Sequence, residues 1–180
     1  MWFNDEDYDR LGMLIKWNPA VKARADQKGI LKALLDDRID VIATDHAPHT
    51  WEEKQNSYFK SPSGGPLIQH SVVAMMEFYK QGKISIERVV EKMCHNPAIL
   101  FRIEKRGYIR EGYFADLVLV DPNSEWIVNK ENIIAKCGWS PFEDQTFSST
   151  IDTTWVSGHQ AYHRGKFDES HMGQRMTFER

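Results

Sequence analysis

The sequence is poor in the features that build a disulfide framework, a membrane span or a nucleic-acid surface. It has two cysteines in 180 residues, Cys94 and Cys137, and neither sits in a paired metal-binding spacing. So few thiols point to a reducing compartment, and a cytoplasmic protein is expected. No apolar run approaches the ~20 residues that cross a bilayer. The opening Met1-Trp2-Phe3-Asn4-Asp5-Glu6-Asp7 lacks the basic-then-apolar order of a signal peptide. No basic run stands out in a chain of net charge −3, so neither nucleic acid nor an anionic membrane is an expected partner. Phosphate-loop and nucleophile-elbow patterns are absent. Histidine is missing from the first 45 residues, the earliest being His46.

What is present is a globular composition, 41% hydrophobic and 27% charged, in a length that suits one ordinary domain or slightly more. Two aromatics at the extreme N-terminus imply either a docked first segment or a chain that begins partway through a larger fold. Residues 11–17 form a short apolar stretch, read as a buried strand or turn that ends at Asn18-Pro19, where proline biases the preceding residue away from the helical region. Residues 22–38 read as a helix with Ala23, Gln27, Ile30, Leu31, Leu34 and Leu35 on one stripe. Residues 40–45 read as a strand whose β-branched residues do not alternate with polar ones, as in a parallel strand covered on both faces. A loop follows over 50–66, punctuated by Ser61-Pro62-Ser63-Gly64-Gly65-Pro66. A second helix is expected over 67–81, stopped by Gly82, with Met75, Met76 and the aromatics 78–79 on its core side. A third is capped by Ser85 and broken at Asn96-Pro97, with Cys94 as a small core residue and a last helical piece over 98–102.

Beyond Arg106 the pattern becomes β-rich. Leu117–Val120 and residues 125–128 read as strands, and residues 136–147 as irregular. Residues 153–163 read as a hairpin about Ser157-Gly158. The polar tail from Asp168 is expected to be loosely held. Helix, short link and continuous apolar strand mark the first part as α/β.

The chemistry-bearing residues concentrate at Asp45-His46-Ala47-Pro48-His49. In parallel α/β architectures ligands gather at the carboxyl ends of strands, where Asp45 would stand. Asp and His both ligate zinc, and Asp also serves as a general base. The same letters also suit a turn-capping carboxylate followed by ordinary loop histidines, and a metal site needs three or four ligands. Asn18 matters if it ends a strand neighbouring that of Asp45. Gly64 and Gly65 allow backbone to approach a ligand closely, or simply make a turn.

These segments together resemble a known family. IDVIATDHAPH is similar to the signature at the last barrel strand of dihydroorotases, in the amidohydrolase superfamily. IKWNPAV resembles the preceding strand end. GYIREGYFADLVLVDP and WVSGHQAYHRGKF resemble the superfamily's small C-terminal β-domain. The resemblance runs from Leu11 to Phe167. It implies the C-terminal part of a (β/α)8 TIM-type barrel (residues 1–104) followed by a β-rich, composite β-sandwich domain and tail (residues 105–180). It also implies zinc-dependent, reversible hydrolysis of dihydroorotate to N-carbamoyl-aspartate, in pyrimidine biosynthesis. Asp45 would be a metal ligand and the proton shuttle. His49 and Asn18 would hold substrate, and Ser63, Gly64 and Gly65 would offer backbone contacts. The intact protein would be a homodimer.

The match has departures. Ala20 and Lys22 replace the family's usual second proline and arginine, and the Gly64-Gly65-Pro66 loop is a variant. The family's His-x-His pair, bridging carboxylate, middle-strand histidines and substrate-clamping arginine have no counterpart before Asp45. A full barrel takes ~250 residues. The resemblance is therefore to a fragment, expected to bind zinc weakly, to be inactive alone and to self-associate or to partner with the missing half. The alternatives are another cyclic amidohydrolase of hydantoinase or allantoinase type, and a non-catalytic dihydroorotase-like subunit.

Overall fold

The computed structural model describes residues 1–179. In chain order its elements are helices α1 (Tyr8–Leu11), α2 (Arg24–Leu35), α3 (Trp51–Lys54), α4 (Ser71–Lys80), α5 (Ile86–Val90) and α6 (Asn96–Leu100). Strands β1 (Leu117–Asp121), β2 (Trp126–Ile127), β3 (Thr146–Phe147), β4 (Thr150–Val156), β5 (His159–His163) and β6 (Lys166–Phe167) follow. The chain divides into two compact units, one of residues 1–39, 43–75 and 127–147, the other of residues 40–42, 76–126 and 148–180.

The first unit is organised around aromatics. Trp2 packs edge-on against Phe142 with ring centroids 5.4 Å apart, and Phe3 lies 5.2 Å from Phe142 and 5.5 Å from Trp17. The N-terminal segment is thus docked. Asn4 caps the 3-10 turn Asp5–Asp7, and Asp7 returns the bond to the Asn4 amide, which satisfies two otherwise orphaned donors. Residues 136–147 are irregular as expected, yet Trp139, Ser140, Pro141, Phe142 and Phe147 within them are buried. The Val128 amide donates to Gln145 (3.0 Å) beside the short β2–β3 pair. α2 buries Leu34 fully, while Ile30 and Leu35 remain exposed.

Of the two readings of residues 11–17, strand or turn, the structure takes the turn: residues 12–15 form a 3-10 turn. The strand expected over residues 40–45 is absent: the segment carries no strand ladder, and a single parallel bridge just past it joins His46 to Gly65. A strand is defined by the neighbouring strand that satisfies its amides and carbonyls; here the Ile42 amide donates to the Lys92 carbonyl (3.0 Å) and the Asp40 carbonyl accepts from the Asn96 side chain (2.7 Å), both from helical residues. The 50–66 loop also contains a helix. Thr50 Oγ1 accepts from the Glu53 amide (3.2 Å) and the Glu53 carboxylate accepts from the Thr50 amide (2.9 Å), a capping box that starts α3.

The second unit holds a four-stranded antiparallel sheet in the order β1-β4-β5-β6. The β4–β5 hairpin turns on Ser157 and Gly158, both with positive φ (52° and 87°), the geometry that matches the twist of the flanking strands. The Ser85 cap starts α5 as expected. Asn96-Pro97 does not break the helical run. Residues Glu91–His95 wind as a π turn, in which the Asn96 amide bonds the Glu91 carbonyl, and α6 continues directly. The wider turn accommodates a ring that would otherwise collide with the preceding turn. Cys94 is exposed, not part of the core. Met76 and Phe78 are buried and Tyr79 is exposed. The tail is anchored near its end: the Glu104 amide donates to Thr177 O (3.0 Å) and the Glu179 amide to Arg102 O (2.9 Å).

Candidate active site

Three stretches that the sequence marks for chemistry converge in the first unit: residues 16–18, 45–49 and 61–66. The Gly64 amide donates to the Lys16 carbonyl (3.0 Å), and the Ala47 amide donates to Gly65 O (3.2 Å). Gly64 has φ 134°, and a Cβ there would stand 2.4 Å from Ala47 O and 2.8 Å from Ala47 Cβ. Glycine is therefore required by both conformation and contact. A Cβ on Gly65 would fall 2.9 Å from the Trp17 indole nitrogen. That nitrogen is buried and has no hydrogen-bond partner among the described residues, which leaves a donor beside the glycine loop.

Asp45 is exposed and adopts φ 50°, a left-handed conformation that Asp tolerates better than most residues. No hydrogen bond or ion pair occupies its carboxylate among the described residues, so it is free to take a proton or a cation. Its neighbours are committed. His46 Nδ1 accepts from the Leu67 and Ile68 amides (3.1 and 3.2 Å). The neutral ring therefore carries its proton on Nε2, where it cannot ligate a metal. His49 Nε2 lies 3.1 Å from Ser63 O and so donates to it, while Nδ1 lies 3.6 Å from a Glu53 carboxylate oxygen. The Trp139 indole donates to the His49 carbonyl (2.8 Å). Asn18 and Ser63 are exposed. Among the described residues, no group of three or more His, Cys, Asp or Glu side chains is placed to hold a metal ion. Among the described residues the donor set does not by itself fit zinc, and in the cluster the Asp45 carboxylate is a ligand without a hydrogen bond or ion pair.

Sequence reasoning passed over Lys54. In Trp51-Glu52-Glu53-Lys54 it reads as a surface lysine, yet it is fully buried. Its Nζ donates to Pro62 O (2.9 Å), Gly64 O (3.0 Å) and Lys16 O (3.3 Å), and it lies 5.9 Å from the centre of the Trp139 ring. Burial and the nearby Lys16 charge lower its pKa to about 8. Lys16 Nζ in turn donates to the carbonyls of Tyr58 and Ser61. A capping-box pattern, Thr-x-x-Glu, was legible before Lys54, but nothing local marked the lysine itself.

A family model described as the amidohydrolase family matches residues 9–161. The chain belongs to the amidohydrolase family. This amidohydrolase chain is 36% identical over 143 residues to a dihydroorotase of Halobacterium salinarum, covering 79% of this chain and 34% of that protein. It is 35% identical over 159 residues to a dihydroorotase of Clostridium acetobutylicum, covering 88% and 37% respectively. The chain thus spans about a third of the length of these curated relatives. Among solved structures, an L-hydantoinase (dihydropyrimidinase) from Arthrobacter aurescens superimposes with a TM-score of 0.87 at 26% identity, over 92% of this chain and 38% of that one. A D-hydantoinase from Thermus sp. gives 0.83 at 24% identity, over 93% and 38%. Among the described residues, no helix of this amidohydrolase is long and apolar enough to cross a membrane.

Proposed function

We propose that this chain is the C-terminal part of a dihydroorotase, contributing the proton-carrying carboxylate to a site completed by residues outside it. The observation that carries the reading is Asp45: exposed, without a partner, and flanked by the His46–Gly65 bridge that ties it to the glycine loop. The reaction is reversible hydrolysis of dihydroorotate to N-carbamoyl-aspartate. As the water oxygen bonds to the ring carbonyl carbon, Asp45 takes its proton. As the ring C–N bond breaks, Asp45 delivers that proton to the departing amide nitrogen. Ring closure uses the same transfers in reverse. Asn18 and His49 hold the substrate, and the backbone of Ser63, Gly64 and Gly65 borders it.

Zinc enters the proposal as a centre to which this chain brings one ligand, Asp45, and whose other ligands lie elsewhere. The division into barrel units over 1–104 and a β-rich, sandwich-forming domain over 105–180 belongs to the same proposal, as do a homodimeric intact protein, a cytoplasmic location and a role in pyrimidine biosynthesis.

A chimera tests the reading. This chain replaces the matched third of the Halobacterium salinarum relative, and hydrolysis of dihydroorotate is measured with zinc present. Turnover is expected, and Asp45→Asn is expected to reduce it by about 10²–10⁴-fold, the usual contribution of a positioned acid–base group. The isolated 180-residue chain is expected to turn over nothing. A folded, zinc-loaded chimera that leaves dihydroorotate intact overturns the proposal. The likeness to the Arthrobacter aurescens L-hydantoinase supports a second reading, another cyclic amidohydrolase, for which hydantoin and not dihydroorotate is the substrate. A chimera silent on both would favour a non-catalytic subunit.

A further inference from the structure

We propose that Lys54 is a positioning residue: its buried ammonium gathers the carbonyls of Lys16, Pro62 and Gly64 and so sets the orientation of the Ser63–Gly65 backbone that borders the substrate. The proposal rests on the reading of that loop given above and extends it to a residue remote from the reacting atoms.

An ammonium has three protons to donate, and Lys54 spends all three on backbone oxygens. No carboxylate among the described residues pairs with it. The charge that acts on it is that of another cation, Lys16, and the centre of the uncharged Trp139 ring lies 5.9 Å from its ammonium. On its own helix, Glu52 and Glu53 are exposed, and Glu53 is taken up by the Thr50 amide and by His49. A fully buried cation without a counter-ion persists only where dipoles replace its hydration, and here the dipoles are loop peptides. Each peptide is planar and trans, so its N–H points opposite to its C=O. With the Pro62 and Gly64 carbonyls turned onto Lys54, the amides of Ser63 and Gly65 turn away from it. The Gly65 carbonyl then meets the Ala47 amide, and the Ser63 carbonyl meets His49. One ammonium therefore fixes alternate peptides of the loop, and through them its register against residues 45–49.

The same ammonium also ties the loop to the Lys16 carbonyl, which already accepts from the Gly64 amide. Neutral Lys54 would have two donors for three carbonyls and a lone pair facing an oxygen. The loop peptides should therefore respond when the ammonium titrates, which burial brings down to about pH 8.

The test uses the 180-residue chain with 15N-labelled glycine and serine, followed by amide NMR from pH 6.5 to 9.5, in the wild type and in Lys54→Met. In the wild type, the Ser63, Gly64 and Gly65 amides should shift together with a midpoint near the Lys54 pKa, while Gly29 and Gly112 stay still. In Lys54→Met, which retains most of the side-chain volume, that titration should vanish and the Gly64 and Gly65 resonances should move from their wild-type positions. In the zinc-loaded chimera described above, L-dihydroorotate should bind several-fold less tightly when Lys54→Met is introduced. Loop amides that do not titrate, or a Lys54→Met spectrum with Gly64 and Gly65 unmoved, would overturn the assignment. Should Lys54→Met fail to fold, the wild-type titration alone decides. A normal titration beside a folded, zinc-loaded chimera that binds no dihydroorotate sinks the substrate reading and leaves the positioning role of Lys54 standing.

Discussion

Replacing Gly64 by alanine is the sharpest probe of how the glycine loop meets residues 45–49. The new Cβ would lie 2.4 Å from the Ala47 carbonyl oxygen and 2.8 Å from the Ala47 methyl, at a residue whose φ is 134°. The backbone conformation alone costs about 1–3 kcal/mol for a residue with a side chain. Forcing a methyl against backbone adds about 1–3 kcal/mol. The obstructing atom is a main-chain oxygen, so no rotamer change relieves it. A loss of about 4 kcal/mol, near the middle of the sum, corresponds to a fall of roughly 8–16 °C in melting temperature for a chain of this size. The assay is urea and thermal unfolding followed by circular dichroism, run beside Gly29→Ala. Gly29 sits inside α2 with nothing within 4 Å of its would-be Cβ, so alanine there should stabilise by about 0.5–1 kcal/mol. The reasoning is refuted if Gly64→Ala changes stability by no more than the roughly 0.5 kcal/mol of an ordinary surface substitution.

Three further outcomes are expected. Asp45→Asn should leave the melting temperature of the chain nearly unchanged, because no partner holds its carboxylate, while cutting dihydroorotate turnover in the chimera by about 10²–10⁴-fold; a large loss of stability would make Asp45 a structural residue. Thr50→Ala should cost about 1 kcal/mol by removing one half of the α3 capping box, read as a shift of the urea midpoint, with Thr50→Ser close to wild type. Burial lowers the His70 pKa from 6.5 to about 4. The unfolded chain therefore takes up the proton first, so this contribution to stability is full above pH 6.5 and is lost as pH falls toward 4, by up to about 3 kcal/mol. A His70 ring resonance that titrates near 6.5 would contradict that.

Features that depend on a few neighbouring residues were readable from the sequence. The Ser85 cap, the Ser157-Gly158 turn and the strands on either side of it all follow from rules that operate within about four residues. The cluster at Asp45-His46-Ala47-Pro48-His49 was visible as candidate chemistry for the same reason. The 40–45 strand was misread because a continuous apolar run shows that a segment can be covered, not that a partner strand lies beside it. Pro97 was misread because the rule against internal proline assumes an α-helical turn, and the π turn of Glu91–His95 removes that assumption. Lys54 stayed hidden among charged neighbours, since lysine is almost never fully buried.

The sequence by itself determined which residue types could do chemistry here, where the helices are capped and the hairpin turns, and the family to which the chain belongs. Tertiary structure alone decided that Asp45 stands uncommitted while both neighbouring histidines are taken, and that a lysine from α3 holds the glycine loop. Caps and turns are satisfied by atoms already close along the chain. A free carboxylate or a buried ammonium is defined by what the rest of the fold brings within three ångströms of it or keeps away, and no local pattern of residues encodes that.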